Sequence, residues 1–128
     1  MVSQYLLDTD IIIDHLRTKT FSLKLIQKIQ IEKCLFLISV ITKAEVFAGL
    51  SMADLKIQNQ VKEFLDSFQN IEINSQIAEK AGEFKRKYKV DLIDSLIGAT
   101  AFFTNSILIT RNLKDFQKIK EIKVILPK

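Results

Sequence analysis

Asp8, Glu45, Asp94 and Asp115 are the residues whose type and setting point to chemistry, because each lies within or just after an apolar run. In "YLLDTDIIID", Asp8 and Asp10 flank Thr9. A helix N-cap explains Asp10, by hydrogen bonds at the positive end of the dipole, but the same cap does not also explain Asp8. Glu45 lies in "ITKAEVFAGL", with Ile41, Ala48 and Gly49 one turn away on the same side of a helix, an apolar side that turns the carboxylate inward. The competing account is a partly exposed glutamate paired with a lysine. Asp94 sits in "DLIDSLIGATAFF", otherwise apolar or small all round, the pattern of a helix buried against its neighbours. A charge there needs a cation, several hydrogen bonds or a proton. Asp91, one turn earlier, is accounted for as a first-turn acid. In "ILITRNLKDF", Asn112 can cap a short helix with Asp115 three positions on, while Thr110, Arg111 and Asn112 add polar groups at the same place.

Convergence of these four carboxylates would be unfavourable in itself. Two unit charges about 4 Å apart repel by roughly 4 kcal/mol at an effective dielectric of about 20. A divalent cation removes the conflict, and an oxygen-only donor set suits Mg²⁺, with Mn²⁺ as the alternative, better than Zn²⁺. The chemistry that follows is phosphodiester hydrolysis, with water activated and the leaving oxygen stabilised by the metal.

The elements that must position these acids are short strands alternating with amphipathic helices. Apolar runs at residues 5–7, 35–40, 71–73, 107–109 and 124–126 have strand length. Residues 56–69 carry Ile57, Val61, Phe64, Leu65 and Phe68 at helical spacing, and Ile77, Ala81, Phe84 and Tyr88 repeat it. The alternation predicts a mainly parallel sheet with helices on its faces, in one domain over residues 1–128. In such sheets function gathers outside the carboxyl ends of the strands, where the acids follow.

Composition is consistent with this and excludes several classes. The 128 residues are 48% hydrophobic and 27% charged, with three glycines and one proline, as in an ordered globular chain. Cys34 and His15 are the only cysteine and the only histidine, which excludes a disulfide framework and a cysteine or multi-histidine zinc site and suits a reducing cytoplasm. Neither a signal peptide nor the about 18 apolar residues of a spanning helix is present, so no membrane association is expected. The net charge of +4 is compatible with a polyanionic partner, and the run "KRKYK" at residues 85–89 either guides an RNA backbone or complements the negative pole of a helix.

Together, "LLDTDIIID", "SVITKAEVFAGL", "DLIDSLIGATA" and "ILITRNLKDF" resemble, in order and spacing, the PIN-domain ribonucleases, and more narrowly the VapC-type toxins of toxin–antitoxin pairs. The resemblance implies an α/β/α sandwich around a parallel sheet and a catalytic pocket of Asp8, Glu45, Asp94 and Asp115. It selects Asp8 over Asp10 and Asp94 over Asp91 as the direct metal ligands. Glu45 and Asp115 would bind the metal directly or through water, with Thr110 and Asn112 in support and Asp10 capping the helix or standing behind the ligands. It further implies an RNA substrate, a homodimer and a neutralising antitoxin that approaches the pocket. Asp14 receives no role. A haloacid dehalogenase-type phosphotransferase shares the Asp-x-Asp start, but the chain is short for it and lacks the glycine after that pair. A receiver domain needs an aspartate after the third strand, where "NIEINS" supplies none. A non-catalytic PIN-like module binding RNA or protein is the alternative from another class.

Overall fold

The computed structural model describes residues 3–18 and 34–127. Five strands, β1 (Gln4–Leu7), β2 (Leu35–Ser39), β3 (Gln69–Ile71), β4 (Ile107–Ile109) and β5 (Lys123–Ile125), form one sheet in the order β3-β2-β1-β4-β5. Every pairing is parallel, where the sequence indicated a mainly parallel sheet. The helices are α1 (Thr9–Thr18), α2 (Val40–Phe47), α3 (Leu55–Asp66), α4 (Ser75–Tyr88), α5 (Leu92–Thr104) and α6 (Leu113–Phe116), with a 3₁₀ turn at Leu50–Ala53.

Strand alternation divides the core into two layers. Tyr5, Leu7, Phe36, Ile38 and Ile109 face one side of the sheet, where they pack with Ile11, Ile12, Val46, Val61 and Leu65 from α1, α2 and α3. Leu6, Leu37 and Leu108 face the other, against Ile77, Ala81, Phe84, Ile97 and Phe116 from α4, α5 and α6. This is the expected three-layer α/β/α sandwich. Central strands buried on both faces must be apolar throughout, which is why "YLL", "FLI" and "ILI" read as unbroken runs.

Several boundaries differ from the sequence reading, each for a local reason. Val40 begins α2 rather than ending β2, because the Ser39 side chain accepts the Ile41 N–H and turns the chain into a helix. The third strand is Gln69–Ile71 instead of 71–73: its register, Leu37 opposite Gln69 and Ser39 opposite Ile71, runs out where β2 ends. The fifth lies one residue earlier than expected, since Ile107 and Ile109 pair with Lys123 and Ile125. The helix expected over 56–69 is α3, started by Asp54, whose side chain accepts the Lys56 and Ile57 N–H groups, and ended before Gln69 enters β3.

Helix α5 is buried on all sides along its middle, at Ser95, Ile97, Gly98, Ala99, Thr100 and Ala101, while Leu92 and Ile93 at its start and Phe102 and Phe103 near its end are exposed. Gly98 marks the closest packing, since a Cβ there would stand 2.8 Å from Ile119 Cδ1. The helix is followed almost at once by β4, so its C-terminus lies at the amino edge of the sheet and its first turn at the carboxyl edge. Among the described residues no helix is long and apolar enough to cross a membrane.

Leu6 is fully buried on the central strand between the two layers. Truncation by Leu6→Ala is expected to destabilise the fold by about 2–5 kcal/mol, read as a lowered urea midpoint at unchanged slope.

Candidate functional site

Strand β1 is central, and the chain leaves β1 toward β2 but β4 toward β5, so the sheet's switch point lies between β1 and β4. Open parallel sheets carry their crevice there, at the carboxyl edge. Asp8 ends β1 at this point, and its N–H still donates to Ile109 O of β4 (3.0 Å).

Asp8 is buried, and its carboxylate is held at both oxygens. The Thr9 N–H donates to Oδ1 (2.8 Å), and Thr110 Oγ1, just after β4, donates to Oδ2 (2.7 Å). Burial and the neighbouring Asp10 charge outweigh these hydrogen bonds, with Asp94 adding to the repulsion, and raise the Asp8 pKa from 3.8 to about 7. Asp94, in the first turn of α5, is raised to about 6 by burial and then by the charges of Asp115, Asp91, Glu45 and Asp10. These mutual influences bring the acids of four separate segments into one field.

Glu45 is exposed as a residue, contrary to the inward-facing reading, yet its Oε1 accepts a 2.6 Å hydrogen bond from the buried Thr9 Oγ1. Thr9 Oγ1 also shares a 3.0 Å hydrogen bond with the fully buried Thr42 Oγ1. Asp115 is half-exposed and accepts from Asn112 Nδ2 (3.1 Å); that bond, with Lys118 and Lys114 nearby, holds its pKa below the ordinary value. Asn112 occupies the N-cap position of α6 without a side-chain capping bond, because its amide is turned to Asp115 and its N–H to Thr110 Oγ1 (2.9 Å). Asp91 is likewise the N-cap residue of α5 rather than a first-turn acid, with no side-chain capping bond.

Asp10 does not cap α1, which begins one residue earlier; Asp8 stands before that first turn, its O accepting the Ile11 and Ile12 N–H groups. Instead Asp10 reaches across to the segment after β4, where its Oδ2 accepts the Arg111 N–H (3.1 Å) and stands 3.4 Å from Thr110 Oγ1. Its other oxygen, Oδ1, is buried and has no hydrogen-bond partner, and burial raises the pKa of the group. Asp14, unassigned from sequence, pairs with the Arg111 guanidinium at 2.6 Å. Thr9 and Thr42 are site residues that sequence reasoning missed; the signal for both was a small polar side chain inside an apolar segment. Beside Glu45 a hollow of about 680 Å³ opens between α1, α2 and α3, walled by Leu16, Val46, Met52, Val61 and Phe64.

No three His, Cys, Asp or Glu side chains among the described residues close into a coordination shell by themselves. A Zn²⁺ or Ca²⁺ cage is therefore a poor fit. The buried, partnerless Asp10 Oδ1 beside an oxygen-only set fits a cation such as Mg²⁺, which keeps most of its water and takes one or two carboxylates.

A parallel α/β/α sandwich with carboxylates gathered at the switch point defines a class of α/β proteins with an acidic pocket. Within that class the chain belongs to the PIN-domain family, whose model matches residues 5–122. Among solved structures, a chain of a toxin–antitoxin complex from Klebsiella pneumoniae is 32% identical, with a TM-score of 0.78 and coverage of 97% of this chain and 98% of that one. DNA-bound VapBC from Salmonella typhimurium superposes with a TM-score of 0.85 over 100% of both chains at 21% identity. VapBC-1 from nontypeable Haemophilus influenzae gives 0.80 at 23%, over 95% of this chain and 96% of that one. These last two bear on fold alone. No curated protein matches the sequence.

The raised pKa of Asp8 has a defined sign in the metal-free protein. Between 3.8 and about 7 the folded chain holds a proton that the unfolded chain has released, so this group's stabilising contribution is full at low pH and is lost as pH rises through that window. Asp8→Asn is expected to raise the melting temperature of chelator-treated protein at about pH 8, through a gain in stability on the order of 2–4 kcal/mol, and to have little effect below about pH 4. Thermal melts across pH check this; equal melting temperatures at high pH would contradict the burial of a charged Asp8.

Proposed function

We propose that the protein is a metal-dependent endoribonuclease that acts as the toxin of a toxin–antitoxin pair. The observation that carries the reading is the raising of both Asp8 and Asp94, by burial and then by neighbouring acids, at the switch point of a PIN domain, an arrangement that costs stability unless a cation relieves it. In this reading Asp8 and Asp94 hold Mg²⁺ or Mn²⁺ directly, and Glu45 and Asp115 hold it directly or through water. The chemistry the cation supplies when bound is Lewis-acid: water is acidified and the charge developing on the phosphate is neutralised. Thr110 fixes the Asp8 carboxylate by donating to Oδ2, Thr9 orients Glu45, and Asn112 orients Asp115. Asp8, Glu45 and Asp115 are thereby each oriented before substrate arrives, which saves that ordering at the moment of reaction.

The partners proposed are an RNA substrate, an antitoxin and a second copy of the chain, in the cytoplasm. The 32% identical chain from the toxin–antitoxin complex supports the antitoxin, and the 680 Å³ apolar hollow beside Glu45 offers such a protein a place to bury side chains near the acids. The exposed Leu92, Ile93, Phe102 and Phe103 of α5 support an interface between copies.

Incubation with total RNA and Mg²⁺ is expected to yield defined cleavage products, and Asp8→Asn or Asp94→Asn to lower cleavage by about 10²-fold or more while circular dichroism stays unchanged. Unaltered cleavage by either variant would sink the assignment. Independently of turnover, Mn²⁺ in excess of its dissociation constant is expected to raise the melting temperature of the wild-type chain, through about 2.7 kcal/mol of added stability at a hundredfold excess, and to have much less effect on Asp94→Asn.

A further inference from the structure

The basic run at residues 85–89 divides into two groups with different surroundings. Lys87 is paired with Glu121 at 3.7 Å, as Lys80 of the same helix is with Glu83 (2.7 Å) and Glu121 (3.2 Å). Lys85, Arg86 and Lys89 have no such pairs among the described residues, and all three are exposed. Those three line one cleft of about 440 Å³ between the end of α4 and the start of α5, together with Gly82, Val90 and Asp91.

Complementing the dipole of α4 accounts for cations in its last turn, but not for their gathering around one hollow. Lys89 lies beyond that turn, in the left-handed conformation at φ 61°, which strains a residue with a side chain and brings it to the same cleft as Lys85 and Arg86. Asp91 is the one carboxylate in this lining, so three cations against one anion leave the cleft with a net positive charge that favours an anion. Asp91 forms the border with the acidic pocket: it lines the cleft and precedes α5, whose first turn carries Asp94.

We infer that this cleft binds the phosphate backbone of the RNA on its way to the acidic pocket, with Lys85, Arg86 and Lys89 each neutralising a phosphate while the scissile one meets Asp8 and Asp94. The inference rests on the ribonuclease reading for the identity of the polyanion. An anionic strand needs such a cationic approach, because the pocket itself is negative. Arg86 can grip a phosphate through two N–H groups, and the two lysines act as point charges.

The test is a fluorescence-anisotropy titration of labelled oligouridylate with the full chain carrying Asp8→Asn, so that the RNA stays whole, at a series of potassium chloride concentrations. Added to that background, Lys85→Ala/Arg86→Ala/Lys89→Ala is compared with Lys56→Ala/Lys62→Ala/Lys123→Ala, which removes the same charge from exposed positions elsewhere. Gly82→Glu keeps all three cations and introduces a negative side chain where a Cβ meets nothing within 4 Å. The cleft triple is expected to weaken binding about tenfold or more at low salt and to lower the slope of log affinity against log salt by about two, at about 0.7 per phosphate on a single strand. Gly82→Glu is expected to weaken binding in the same direction, and the control triple to change it far less. Equal effects of the two triples, no effect of the cleft triple, or no binding by the Asp8→Asn chain at low salt would overturn the inference. Cleft-dependent binding with no RNA cleavage by the unsubstituted chain contradicts the ribonuclease reading and leaves the cleft standing; cleavage with cleft-independent binding does the reverse.

Discussion

The constraint on which this structure turns is electrostatic repulsion among carboxylates that the fold itself gathers. Burial comes first in raising Asp8 and Asp94, and repulsion adds to it, from Asp10 and Asp94 at Asp8 and from Asp115, Asp91, Glu45 and Asp10 at Asp94. Hydroxyl and amide donors answer part of it: Thr110 and the Thr9 N–H at Asp8, Thr9 Oγ1 at Glu45, the Arg111 N–H at Asp10 and Asn112 at Asp115. The Arg111 guanidinium is engaged by Asp14 at the rim. What remains uncompensated is negative charge facing the crevice, which is the charge the proposed divalent cation would neutralise.

The sheet creates this constraint. Because all pairings are parallel, the segments after β1, β2 and β4 emerge at one edge, and α5 returns its first turn to that edge. The acids come from both layers: Asp8 and Glu45 lie toward the α1 and α2 side, and Asp94 and Asp115 belong to α5 and α6 on the other. The pocket therefore exists only when both helical layers are packed on the sheet. Core burial around Leu6, Leu37 and Leu108 on one face and Leu7, Ile38 and Ile109 on the other opposes the repulsion at the edge.

Much of this was legible in the sequence because buried parallel strands and carboxylates in apolar runs are unusual enough to be seen. Asp94 is the clearest case, an ionisable group among "LI" and "SLIGATA" that nothing local satisfies. The networks were not legible. That Asp14 meets Arg111, or that Asp10 reaches the segment after β4 instead of capping α1, depends on contacts 97 and 101 residues apart in sequence that only the β1–β4 pairing creates. The inward-facing reading of Glu45 failed in part for a related reason: the residue is exposed, and what its carboxylate meets is Thr9, 36 residues away in sequence. Periodicity reports which residues of a helix are apolar, not where its neighbours stop, and so the exposure of Leu92 and Ile93 at one end of α5 and of Phe102 and Phe103 at the other was not read from the sequence.

The central claim, that the gathered carboxylates form a cation site, is tested most directly by diffraction from crystals soaked in Mn²⁺, with data collected at a wavelength where manganese scatters anomalously. The account predicts an anomalous peak within coordination distance, about 2.0–2.2 Å, of carboxylate oxygens of Asp8 and Asp94. A peak elsewhere on the chain, or none at saturating Mn²⁺ with the pocket open to solvent, would contradict it.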